Sequence, residues 1–150
     1  MKRTPEFLLI QVPGWLLFVY LAYAQGVSAF SYEAGIAMGT QEPPEVITGV
    51  GAAFRYGFAL GDLLIYMPLL ALGLISHRQG RQWSLPVLGA ALGITVYWPV
   101  VSLAALVAAR DAPGWNVVDE LAYWIVLPII AAWGAWGLWR LLRTVSSTET

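Results

Sequence analysis

Arg55–His77, RYGFALGDLLIYMPLLALGLISH, reads as one apolar helix long enough to cross a bilayer, with a single carboxylate, Asp62, in its interior. About 20 apolar residues at ~1.5 Å each span a ~30 Å hydrocarbon core. An ionisable side chain within such a helix costs a few kcal/mol on insertion scales, so it turns toward protein or water and takes a partner. By the same rise Asp62 lies ~11 Å along the axis from Arg55, about a third of the way across. The two residues are two turns apart and share a face, but helical side chains lean toward the N-terminus and both lean the same way. Arg55 is therefore a poor partner, and the expectation is that Asp62 looks to another helix.

The rest of the chain supports the bilayer as its solvent. Of 150 residues, 59% are hydrophobic and 11% charged, and the mean hydropathy is +0.67. A soluble domain of this size carries about a quarter charged residues and has too little interior to hide so much apolar surface. The expected fold is all-α: one integral-membrane four-helix bundle over 1–150, with spans at approximately 7–29, 54–77, 83–109 and 117–142. The first could be misread as a cleaved signal, because Ala22-Tyr23-Ala24 and Val27-Ser28-Ala29 resemble cleavage sites. Its apolar run from Phe7 to Ala24 exceeds the usual length of roughly 7–15 residues, so the reading is a retained span. Pro13-Gly14 is expected to loosen its early part, Pro68 to open the ladder of the second span, and the tail after Arg143 to be unstructured.

Charge sets the orientation. Lys2, Arg3, Arg78, Arg81, Arg140 and Arg143 fall on one side of this threading, and only Arg55 and Arg110 on the other. The positive-inside rule then puts both termini in the cytoplasm, with the acidic segment carrying Glu33, Glu42 and Glu45 outside, in what is most economically a bacterial inner membrane.

Composition also removes chemistry. Without cysteine there is no thiol nucleophile, thiolate metal site or disulfide, and with His77 as the one histidine there is no bis-histidine haem within the chain. No cofactor and no metal are expected. A net charge of −1, with cations confined to helix ends, gives no case for nucleic acid. His77 suits a helix C-terminus, where positive charge is favoured.

Two pairs of small residues mark helix contacts. Gly57 and Gly61, extended backward to Ala53, and Gly89 with Gly93 each repeat at one helical turn, the spacing that lets backbones approach closely. Either pair could join copies of the chain in a homo-oligomer or seat a partner membrane subunit.

Counting inward from the outer end of each span gathers Tyr23, Asp62, Ser102, Tyr123 and Trp124 at one depth, with Trp98 as a further aromatic wall. Arg55, Arg110, Asp119 and Glu120 lie above them, at the mouth. The expected site is thus an outward-facing polar and aromatic pocket centred on Asp62. In the first reading it is a clamp within a non-enzymatic structural or accessory subunit, Asp62 accepting hydrogen bonds from Ser102, Tyr23, Tyr123 or an indole. In the second, an oligomeric protein binds or moves a small solute, lipid or proton, with Asp62 as the protonatable group and Trp98 and Trp124 as walls. An intramembrane enzyme has the least support, because no histidine lies near the carboxylates and no Ser-Lys, HExxH or paired-aspartate motif falls within a span.

Overall fold

The computed structural model describes residues 4–117 and 120–146. Lys2, Arg3, Asp119 and the last four residues, all used in the sequence reading, lie outside that range. The described residues are helical apart from turns and one isolated antiparallel bridge between Ile47 and Trp115. Helix α1 runs Pro5–Phe30, α2 Tyr32–Ala37, α3 Pro44–Arg78, α4 Ser84–Ala109 and α5 Leu121–Ser146. All but α2 are long and apolar enough to cross a membrane.

Local sequence explains the ends. Thr4 Oγ1 accepts the Phe7 N–H (3.3 Å) ahead of Pro5, and Ser31 caps α2 through the Ala34 N–H (3.2 Å). Hydroxyl caps satisfy amides that the first helical turn leaves free, and proline fits a position whose N–H has no helical partner. Helix α3 starts at Pro44 rather than near residue 54, and α5 continues past Arg143 to Ser146. The early start of α3 is interrupted at Thr48, where φ is 68° and ψ 161°. A β-branched residue is strained there. Its hydroxyl accepts the Gly51 N–H (3.2 Å), so the uninterrupted part of α3 begins with a capped turn.

Pro68 shapes the middle of α3. It has no N–H to give the Leu64 carbonyl, and its ring crowds that carbonyl. The preceding turn, Asp62–Tyr66, widens into a π-turn closed by the Met67 N–H on the Asp62 carbonyl. A second π-turn, Ala22–Gly26, interrupts α1 and packs against the first.

The long helices alternate in direction. Phe7 stacks on His77 with ring centroids 5.4 Å apart, and Glu6 pairs with Arg140, so the start of α1 and the last turns of α3 and α5 lie at one end of the bundle, here the terminal end. At the opposite, distal end the Asn116 N–H donates to the Val46 carbonyl (2.7 Å) beside the Ile47–Trp115 bridge. That strap ties the start of α3 to the turn between α4 and α5.

The core occupies the terminal half. Leu70, Leu74, Leu88, Ala91 and Leu92 are fully buried, with Ile10, Leu21 and Leu141 around them. A Cβ on Gly73 would lie 2.9 Å from the Leu88 Cα, so α3 and α4 meet there backbone to backbone. Gly134 and Gly137 are the α5 counterparts: a Cβ would lie 3.0 Å from Thr95 Cγ2 on the first and 3.1 Å from Leu92 Cδ1 on the second. Helix α4 packs along α5 over the longest contact, whereas the part of α3 before Asp62 barely touches α4 and rests on the end of α1 instead.

Candidate functional site

The separation of α3 from α4 in the distal half leaves a groove of about 720 Å³. Its floor is α3 itself: Gly49, Ala53, Gly57 and Gly61, each one turn from the next, bordered by Val50, Phe54, Phe58 and Ile65. Ile94 and Tyr97 of α4 form the facing wall. A Cβ on Gly49, Gly57 or Gly61 would meet nothing within 4 Å. The close approach expected at Gly57 and Gly61 is therefore not made inside this chain. Gly93 is likewise open, and a Cβ on Gly89 would meet only Leu138 Cδ1, at 3.9 Å.

Asp62 stands at the deep end of this floor. It is 5% exposed, lines the groove, and its Oδ2 has no hydrogen-bond partner among the described residues. One turn on, Tyr66 also lines the groove but is engaged: its hydroxyl and Thr95 Oγ1 lie 2.6 Å apart, and Thr95 donates onward to the Ala91 carbonyl (2.9 Å). An isolated buried carboxylate is costly, because nothing replaces the water it has lost.

Of the described residues expected at the site from sequence, Asp62 is the one that lines the groove. Arg55 turns away from it. Its Nη2 donates to the Tyr123 hydroxyl (3.1 Å), and its guanidinium lies 5.7 Å from the Tyr123 ring centre, tying α3 to α5. Glu120 and Trp124 form a separate cluster at the distal end, where Glu120 accepts from Arg110 (2.6 Å) and from the Trp124 indole (3.4 Å). The Arg110 hydrogen bond, seconded by that of Trp124, holds the Glu120 carboxyl below its ordinary range. Trp98 and Ser102 are half-buried on α4 and Tyr23 is largely exposed on α1; none of the three borders the groove. Asp62 accepts no hydrogen bond from Ser102, Tyr23, Tyr123 or an indole among the described residues, so the expected layer is split into an arginine–tyrosine tie, an acidic cluster and a lone carboxylate.

Two polar features went unread in the sequence. Tyr66 and Thr95 form one; Tyr66 follows Asp62 by one helical turn, and that spacing was the available signal. The other is Gln11, buried at the terminal end, whose Nε2 donates to the Leu74 carbonyl (3.0 Å) and to His77 Nδ1 (3.1 Å) while its Oε1 accepts from Trp15 (3.2 Å). Among the described residues no three His, Cys, Asp or Glu side chains gather as a metal site.

No family model matches the chain, and no curated protein or solved structure matches it.

Proposed function

We propose that this chain is a small multi-pass inner-membrane protein, both termini in the cytoplasm, that works without catalysis as an accessory subunit and receives another component in the groove on α3. The orientation rests on the bias of Lys and Arg toward the terminal end, which places the groove in the outer half of the bilayer. One observation carries the reading: three glycines form an open floor that ends at a buried carboxylate whose Oδ2 has no partner among the described residues. Glycine in mid-helix sacrifices stability that alanine would supply, about 1 kcal/mol each. Where a glycine meets a neighbour, as Gly73 does, close contact repays that loss; where it meets nothing, the contact belongs to something else. Within a bilayer helices gain little from hydrophobicity and associate by close packing and polar contacts, which is what this floor offers.

The test separates assembly from folding. Gly57→Leu fills the groove without touching the chain's own packing. The expected outcome is an unchanged melting temperature in detergent, together with a shift in native membranes from a larger complex to the size of the free chain on native electrophoresis. A parent protein that already migrates as the free chain sinks the accessory-subunit reading. So does a Gly57→Leu variant that keeps the larger complex.

A further inference from the structure

The groove also indicates what kind of component it takes. This inference rests on the accessory-subunit reading and deepens it. We infer that the occupant is a membrane-spanning helix of a different protein, carrying one basic residue at the depth of Asp62 that pairs with it, with apolar side chains laid along Gly49, Ala53, Gly57 and Gly61.

Length and depth exclude simpler occupants. The floor from Gly49 to Asp62 runs ~20 Å at the helical rise, which is three to four turns of a second helix. An acyl chain could fill the apolar part but has no donor to give Asp62, and a lipid amine belongs at the interface, above a carboxylate that lies about a third of the way across the core. Buried charge in a bilayer is retained when it meets an opposite charge, so the missing group is a cation delivered at the depth of Asp62.

Among the described residues no Lys or Arg of this chain lines the groove. The chain's eight Lys and Arg residues are Lys2, Arg3, Arg55, Arg78, Arg81, Arg110, Arg140 and Arg143. Arg78, Arg81 and Arg110 lie at helix ends or in turns, Arg140 and Arg143 lie in the last two turns of α5, where Arg140 pairs with Glu6, and Arg55 is held by Tyr123. In a two-fold dimer whose axis runs along the membrane normal, both Asp62 side chains sit at one depth, and packing groove on groove brings a second carboxylate toward the first rather than a cation. Like charges so placed repel.

The walls suit a cation. Tyr97, 64% exposed on the α4 side, and Tyr66 on the floor both line the groove that Asp62 enters. Aromatic faces attract ammonium and guanidinium groups, most strongly where water is excluded. The carboxylate and the two tyrosines thus line the same groove.

The chain has no cysteine, so a single introduced one gives a clean cross-linking site. Phe58→Cys places it on the groove border, and the full-length variant is co-expressed in a bacterial inner membrane with a designed Leu/Ala spanning helix bearing one cysteine. The probe is made with Lys, Leu or Glu at the depth of Asp62. The Lys probe is expected to cross-link at least about tenfold more than the Leu probe, the factor that a modest coupling of a close charge pair produces. Asp62→Asn should remove that preference, and Asp62→Lys should transfer it to the Glu probe. Adding Gly57→Leu should reduce cross-linking to the Lys probe. Equal capture of Lys and Leu probes, both lost on Gly57→Leu, overturns the basic-residue inference while leaving the groove as an assembly face. Capture of both probes undiminished by Gly57→Leu overturns the groove reading itself. A dominant cross-link between two copies of the chain replaces the foreign helix with a homo-oligomer.

Discussion

The two halves of α3 use the same residue type in opposite ways. Beyond Pro68, Gly73 is pressed on Leu88 so closely that a methyl group has no room, and α4 is sealed to it by Leu70 and Leu74. Before Asp62, Gly49, Gly57 and Gly61 face open space. Small residues at helical spacing therefore announce a contact without saying whether its other side is in the same chain. The buried polar groups make the same distinction. In the terminal half Gln11 satisfies both ends of its amide, whereas Asp62 in the distal half leaves Oδ2 unbonded among the described residues.

The largest effect on that contrast is expected at its closed side. Gly73→Val drives a branched side chain into the Leu88 backbone, which no rotamer of a neighbour can relieve, and should cost about 3 kcal/mol or more. Its measure is loss of the folded fraction in a detergent melt, and a melt within a degree of the parent would break the comparison. Next is Asp62→Leu, which removes from the isolated chain a buried carboxylate whose Oδ2 is unbonded among the described residues. It should stabilise that chain by about 1–3 kcal/mol in a denaturant titration. Collapse of this variant would instead restore the clamp role, with Asp62 holding the helices together. Smaller again is Tyr66→Phe, which deletes the hydroxyl paired with Thr95. Intramembrane hydrogen bonds average about 0.6 kcal/mol and reach about 1.7, so a loss within that range is expected from the same titration. The smallest concerns the Arg110–Glu120 pair at the distal surface. Glu120 titrates below its ordinary value in the folded chain, so the pair's contribution is complete above the unfolded value and fades as pH falls through the lowered one. Glu120→Gln should leave the melting temperature at neutral pH within error and flatten whatever slope the parent shows on acidification.

The four long helices were legible because length and hydropathy are local quantities, readable one segment at a time. Asp62 stood out for the same reason: a carboxylate inside an apolar helix is anomalous wherever the neighbours fall. Its surroundings were not legible, because they depend on helix rotation and separation. Counting depth placed Ser102 and Tyr123 level with Asp62 but could not register that α3 leans onto α1 and away from α4 before Asp62. Gly49 was missed for a related reason. With the span begun near residue 54, the glycine register was cut short, and nothing in the residues marks Thr48 as the point where a strained backbone starts a new helical run. Arg55 was correctly separated from Asp62 by the tilt of helical side chains, a rule that does not need the fold, and its hydrogen bond to Tyr123 is where that separation leads.

The paired π-turns determine where this chain can change length. Each holds one residue more than the α-helical turn it replaces. At Ala22–Gly26 no proline follows, so dropping a single codon there lets the turn relax to ordinary pitch and leaves everything downstream facing as before. At Asp62–Tyr66 the ring of Pro68 props the turn open, and the same deletion forces a new distortion nearby. In α5, which carries no such slack, one lost residue swings all later positions by ~100° and takes Gly137 off Leu92.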